Sequence, residues 1–137
     1  MAGYSGTPLA KKLGIRPGFR VALVDAPGGF EDLLDGLPGD AAPKRGWPRG
    51  EADILVVFVT AMKDLEKQLP RAIGKLSPEK GAGIWVAWPK KASGVKTDVT
   101  EDVVRAVALP LGVVDNKVCA IDDVWSGLRL ARRVGRK

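Results

Sequence analysis

Residues 88–96 read Trp-Pro-Lys-Lys-Ala-Ser-Gly-Val-Lys, just ahead of a helix start near Thr100. The ammonium groups of Lys90, Lys91 and Lys96, the Ser93 hydroxyl and the open backbone of Gly94 are groups that bind phosphate or carboxylate, especially beside a helix N-terminus. The same letters also suit a solvated loop whose lysines serve solubility, and Glu101 and Asp102 would oppose a bound anion. The tetrad Gly94-Val-Lys-Thr97 is not a P-loop, which needs Gly and Lys adjacent in a loop after the first strand.

Two further segments carry chemistry. In Asp25-Ala-Pro-Gly28-Gly29 the glycines let a ligand approach the backbone closely, because they have no Cβ and accept positive φ. A plain turn between a strand and a short helix explains the same residues. Asp122, Asp123, Trp125 and Ser126 offer two carboxylates, an indole and a hydroxyl to a nucleobase or an amine, or else a hairpin loop pinned by a Trp wedge.

The chain has no His and one Cys, which removes the usual general base, the commonest metal ligand and any internal disulfide. Tyr4 is the only tyrosine. No catalytic residue and no metal site is expected, and whatever these loops do is a matter of binding and positioning. Cys119 reads as a small buried hydrophobe rather than a reactive thiol. Trp85 and Trp88, three apart on a strand, point to opposite faces and give no stacking platform for nucleic acid.

These groups need a scaffold, and the periodicity supplies one. Residues 9–13 form a short helix entered through Pro8 and stopped by Gly14, and 19–24 the first strand. A brief helix covers 30–34. Residues 36–50, rich in Pro and Gly, allow one short edge strand at 41–45, because Pro43 cannot donate to a central ladder. The continuous apolar run 53–59 suits a central parallel strand buried on both faces. Thr60 is the expected N-cap of a helix carrying Met62, Leu65, Leu69, Ile73 and Leu76, kinked at Pro70 and ended by Ser77-Pro78 and Gly81. Residues 84–88 make another buried strand. The next helix is capped by Thr100 or by an Asp98/Glu101 box, has Val103, Val104, Val107, Ala108 and Leu111 on one side, and stops at Gly112. Strands at 113–121 and 128–134 follow, joined by a six-residue link too short for a crossover helix and therefore antiparallel. The expected fold is α/β, a small Rossmann-like three-layer domain with a mostly parallel sheet and a C-terminal antiparallel hairpin, spanning residues 1–137 with an N-terminal segment 1–14 and a basic tail 135–137. Ligands of such sheets sit outside the strand carboxyl ends, where the three loops fall.

That order of elements resembles a trimmed class I S-adenosylmethionine-dependent methyltransferase. The resemblance rests on Leu13-Gly-Ile-Arg-Pro-Gly-Phe-Arg-Val21 before strand one, Asp53 heading a middle strand, and the helix, strand, Pro-Lys, helix and terminal hairpin that follow. Those enzymes carry Gly-x-Gly-x-Gly after strand one and an acid after strand two; here stand Asp25-Ala-Pro-Gly-Gly-Phe30 and Lys44-Arg-Gly-Trp-Pro48. The resemblance thus implies the fold and leaves S-adenosylmethionine without its motif. The segments 3–14, 88–94, 114–122 and 125–129 are also similar to a family of short bacterial proteins classified only as a domain of unknown function, which implies a stand-alone cytoplasmic domain.

With 22 Lys plus Arg against 16 Asp plus Glu, the formal charge is +6. The expected partner is an anionic small molecule or a protein; nucleic acid is the less favoured reading, because Arg129, Arg132, Arg133, Arg136 and Lys137 read as a solvated tail. No run of residues is long and apolar enough for a membrane span. A non-catalytic binding domain with an anion-binding loop comes first, a divergent methyltransferase second, and a weak nucleic-acid binder third.

Overall fold

Five apolar residues in a row, Ile-Leu-Val-Val-Phe, leave strand β3 (Ile54–Phe58) no polar face, so it is stable only with a layer packed on each side. The computed structural model, which describes residues 8–34, 37–39 and 41–133, supplies both layers. Strands β1 (Arg20–Val24), β2 (Ala42–Arg45), β4 (Gly83–Pro89), β5 (Val113–Ala120) and β6 (Trp125–Arg132) join β3 in one sheet of order β2-β1-β3-β4-β6-β5. The first four strands run parallel, and β6 enters antiparallel between β4 and β5. This is the α/β Rossmann-like architecture with a C-terminal antiparallel hairpin that the pattern of elements implies.

One face is covered by helices α2 (Met62–Lys75) and α3 (Glu101–Ala108), which bury Leu65, Leu69, Ala72, Val104 and Ala108 against Leu55, Val57, Ile84, Val86 and Trp88. The other is covered by the four-residue helix α1 (Leu9–Lys12) and a 3-10 turn (Phe30–Leu33), over Val21, Leu23, Ile54, Val56 and Trp85. Trp85 and Trp88 therefore lie in opposite layers.

Several details depart from expectation. Thr60 is not the cap of α2; its N-cap is Ala61, and the Asp98 carboxylate accepts from the Met62 amide at 2.7 Å. Thr100, not an Asp98/Glu101 box, caps α3 by accepting from Val103 N. Met62 is exposed, and Leu111 lies exposed in a 3-10 turn (Leu109–Leu111) rather than on α3. The last strand starts at Trp125 rather than 128, so Trp125, Ser126 and Gly127 belong to β6 and the hairpin loop is shorter. Residues 35, 36, 40 and 134–137, and so the end of the last expected strand and the basic tail, lie outside the described residues, as do 1–7. Arg129 and Arg132 are strand residues, not a tail.

At the amino ends of the parallel strands, Asp53 ties three of them together. Its buried carboxylate accepts from Arg20 N at 2.8 Å and from the Arg20 guanidinium at 3.2 and 3.3 Å. Its backbone donates to Arg20 O and accepts from Gly83 N. Burial opposes the Asp53 charge, but the hydrogen bonds from Arg20 and the Ser77 hydroxyl outweigh it, and the carboxyl lies below its usual range. Nearer the middle of the sheet, the fully buried Trp85 donates its indole N–H to Leu13 O at 3.0 Å. A Cβ on Gly127 would come within 3.0 Å of both Trp85 Cε3 and Ile121 Cδ1.

These two contacts can be checked by unfolding. Gly127→Ala overpacks a site whose indole is held by its hydrogen bond, and should cost about 1–3 kcal/mol in denaturant unfolding. A folded-state carboxyl with a depressed pKa contributes stability that is complete above its unfolded pKa and lost as pH falls through the lower folded value. With no His to titrate, stability should stay nearly flat from about pH 5 to 8 and fall below about pH 4. Asp53→Asn should cost about 1–3 kcal/mol at pH 7, with the gap to wild type closing under acid.

Candidate functional site

The three loops singled out by their chemistry all sit at the carboxyl ends of β1 and β4 and the adjoining start of β6, where Pro89 pairs with Trp125. They leave the sheet on different sides. The 25–29 loop leads to the 3-10 turn in the α1 layer, whereas the 90–96 loop crosses to the α2 and α3 layer.

Asp25 takes a left-handed conformation at φ 58°, with Gln68 Nε2 donating to its carboxylate at 3.3 Å. Gly28 is exposed, and Gly29, at φ 78°, opens the 3-10 turn, a conformation that favours glycine. Arg45, from the end of β2, then reaches over this loop. It donates to Ala26 O and Pro27 O, both at 2.8 Å, and forms a two-pronged ion pair with Glu31 at 2.7 and 2.8 Å. The Arg45 hydrogen bond holds the Glu31 carboxyl below its usual range. No motif flags this bridge in the sequence, since its partners are 14 to 19 residues apart and two are backbone carbonyls.

Beneath, the Phe58 ring meets Phe30 and Trp125 edge to face, each at 5.0 Å between centroids. Trp125 is therefore a packing wedge that joins the first loop to the last. Asp122 turns inward: its Oδ1 accepts from Val124 N and Trp125 N, both at 2.8 Å. Ser126 is half-buried on β6 opposite Trp88.

The lysine loop is equally ordered. Lys90 N donates to Val124 O at 2.7 Å, fastening it to the hairpin. Residues Lys91–Ser93 form a 3-10 turn ended by Gly94 at φ 81°; Ser93 Oγ donates to Lys90 O and accepts from Val95 N. Thr97 bonds Thr60 O, and Asp98 caps α2. The Ser93 hydroxyl and both nearby helix N-termini are thus already engaged. The ammonium groups of Lys90, Lys91 and Lys96 have no such partner among the described residues, and Lys91 and Lys96 are exposed. No group of His, Cys, Asp and Glu able to hold a metal occurs among the described residues. Cys119 is half-buried, and burial raises its thiol pKa, which suits a packing role.

Cavities also lie elsewhere among the described residues. At the outer edge, the chain returns from β2 to β3 in eight residues, Gly46–Asp53, with Trp47 under the Arg71 guanidinium at 4.5 Å. This return encloses about 570 Å³ lined by Arg20, Lys44, Arg45, Trp47, Arg49 and Glu51, among others. The second lies at the amino end of β4, between α1 and the start of the hairpin.

No protein-family model matches the sequence, and no curated protein is similar to it. Solved structures do resemble it in three dimensions. The ribosomal protein L11 methylase of Lactobacillus delbrueckii subsp. bulgaricus aligns over 92% of this chain and 75% of its own, with a TM-score of 0.59 and 12% identity. A S-adenosylmethionine-dependent methyltransferase of Aquifex aeolicus covers 88% and 85%, with a TM-score of 0.60 at 11% identity. Magnesium protoporphyrin IX methyltransferase of Synechocystis PCC 6803 with bound S-adenosylmethionine covers 85% and 71%, with a TM-score of 0.61 at 10% identity. At such identities the likeness is one of fold: the chain has a trimmed form of the Rossmann-like fold of class I methyltransferases.

Proposed function

We propose that this chain is a non-catalytic binding domain on a methyltransferase-like fold, holding an anionic ligand or an acidic protein surface with Lys90, Lys91 and Lys96 at the strand carboxyl ends. One observation carries the reading. Most acids at this end are engaged, Asp25 on Gln68, Glu31 on Arg45, Asp98 on the α2 amide, Glu101 and Asp102 on Arg105 and Asp122 on its own loop, whereas the three lysines have no such partner among the described residues. Asp32, Asp64, Asp102 and Asp123 remain exposed, so the surplus there is modest and local. An anion gains from these ammonium groups without breaking an existing contact.

S-Adenosylmethionine does not fit this donor set. The cofactor carries a sulfonium and an ammonium, and its ribose diol calls for an acceptor at the end of β2. Arg45 stands there instead, with its guanidinium fastened across the 25–29 loop. The carboxylate beside it, Glu31, is taken up by Arg45 through both oxygens, so the diol meets a donor where it needs a free acceptor.

A second reading, a divergent S-adenosylmethionine-dependent methyltransferase, is favoured by one specific observation: the structural neighbours are enzymes of that kind. Calorimetry separates the two. Titration with S-adenosylmethionine and with S-adenosylhomocysteine should give no saturable heat at millimolar ligand; saturable binding that strengthens in Arg45→Ala would establish the second reading and sink the first. Arg45 is half-exposed, so Arg45→Ala should cost less than about 1 kcal/mol of stability. In a thermal-shift screen of nucleotides, Lys90→Ala/Lys91→Ala should change the stability of the unliganded protein by less than about 0.5 kcal/mol and reduce the shift from a nucleotide held at this loop. A large loss of stability in that double variant would show the loop to be structural.

A further inference from the structure

The second cavity, of about 360 Å³, opens at the amino end of β4, the opposite end of the sheet from the lysine loop. Its lining includes Lys12, Arg16, Asn116, Lys117 and Arg129, four cations and an amide, and among the described residues no acidic side chain. Two acid-free stretches, residues 1–24 and 124–137, supply three of the cations, so no carboxylate nearby in sequence offsets them.

Hydrogen bonds and close backbone packing position these cations. Arg129 Nη2 donates to Gly81 O at 2.6 Å, and Nη1 to Asn116 Oδ1 at 3.4 Å. Lys117 Nζ donates to Lys12 O at 3.2 Å. Two glycines make room for the arginines: a Cβ on Gly83 would fall 2.6 Å from Arg129 Cζ, and one on Gly81, at φ 91°, would fall 2.9 Å from Arg16 Cζ. Among the described residues Arg129, half-buried, bonds a carbonyl and an amide and no carboxylate, and burial together with the Arg16 charge lowers its pKa. Holding like charges this close costs energy that an anion would recover. The nearest acid in the adjoining groove, Glu79, shares that groove with Lys80, Arg132 and Arg133.

We propose that this pocket is an oxyanion site that takes the phosphate or pyrophosphate group of a small ligand through the Arg16 and Arg129 guanidinium groups and the Lys117 ammonium. Guanidinium pairs match phosphate oxygens two at a time, and a cavity of this size holds one or two phosphoryl groups rather than a polymer. The site is separate from the lysine loop and does not depend on anion binding there.

The test is isothermal titration of the intact protein with inorganic pyrophosphate at low ionic strength. Wild type should bind saturably. Arg16→Ala/Lys117→Ala, which removes two exposed side chains, should melt as wild type does and bind at least about tenfold more weakly. Arg129→Lys, which keeps the charge and loses the fork, should also weaken binding, whereas Lys90→Ala/Lys91→Ala should leave it unchanged. Absent saturable binding, affinity indifferent to Arg16→Ala/Lys117→Ala, or an equal loss in Lys90→Ala/Lys91→Ala would each overturn the proposal. So would a single-stranded oligonucleotide that binds through Arg16 and Lys117 while pyrophosphate does not.

Discussion

The hydrogen bond from the Trp85 indole to Leu13 O is the contact on which the α1 layer depends. A four-residue helix has no stability of its own in water, and α1 has no side-chain cap. Its last turn exposes carbonyls without intrahelical partners, and a buried indole N–H needs an acceptor. Each satisfies the other, and Gly127 on β6 leaves room for the ring. With α1 pinned, the turn at Gly14 delivers Arg16 to the amino end of β4, and Lys117 on β5 reaches the carbonyl of Lys12.

The two ends of the parallel strands are locked by different means. At the amino end a buried carboxylate, Asp53, collects donors from β1 and lies within the core. At the carboxyl end an exposed arginine, Arg45, collects acceptors from the loop after β1. The first is a stability device, because an unpaired Asp53 would leave a charge in the core. The second is worth little energetically, since exposed ion pairs contribute about 0–1 kcal/mol, so its consequence is the shape of the loop where this fold class binds its ligands.

What the sequence discloses follows the range of the interactions. The apolar runs at β3 and β4, the helical spacing of Leu65, Leu69 and Ile73, and the glycine stop at Gly14 are local signals, and the elements they imply are present. The antiparallel placement of β6 is legible too, because a link that short cannot carry a crossover. Thr60 misleads because propensity names a capping residue type, while the cap comes from Asp98, 36 residues away. Trp125 reads as a loop residue next to Asp122 and Asp123, yet pairing with β4 extends the strand to include it. Arg129 and Arg132 read as a tail when charge is counted along the chain. In space, one bonds Gly81 O and Asn116, and the other bonds the carbonyls of Ile73, Leu76 and Ser77.

Those contacts determine where the net charge of the domain is felt. In an α/β sheet the positive helix ends point to the strand carboxyl ends, which is one reason that anions collect there. Here Asp98 and Thr100 accept from the first amides of α2 and α3, and the backbone contribution at that end is already answered. At the other end Arg132 answers the last carbonyls of α2. Once both helix dipoles are satisfied from within, side chains alone decide where positive potential remains. At the carboxyl ends the lysines share their surroundings with Asp25, Glu31, Asp32, Asp122 and Asp123, whereas at the amino end of β4 the arginines share theirs with glycine and asparagine. The better-fixed arginines therefore lie at the end of the sheet that the fold does not ordinarily use for binding.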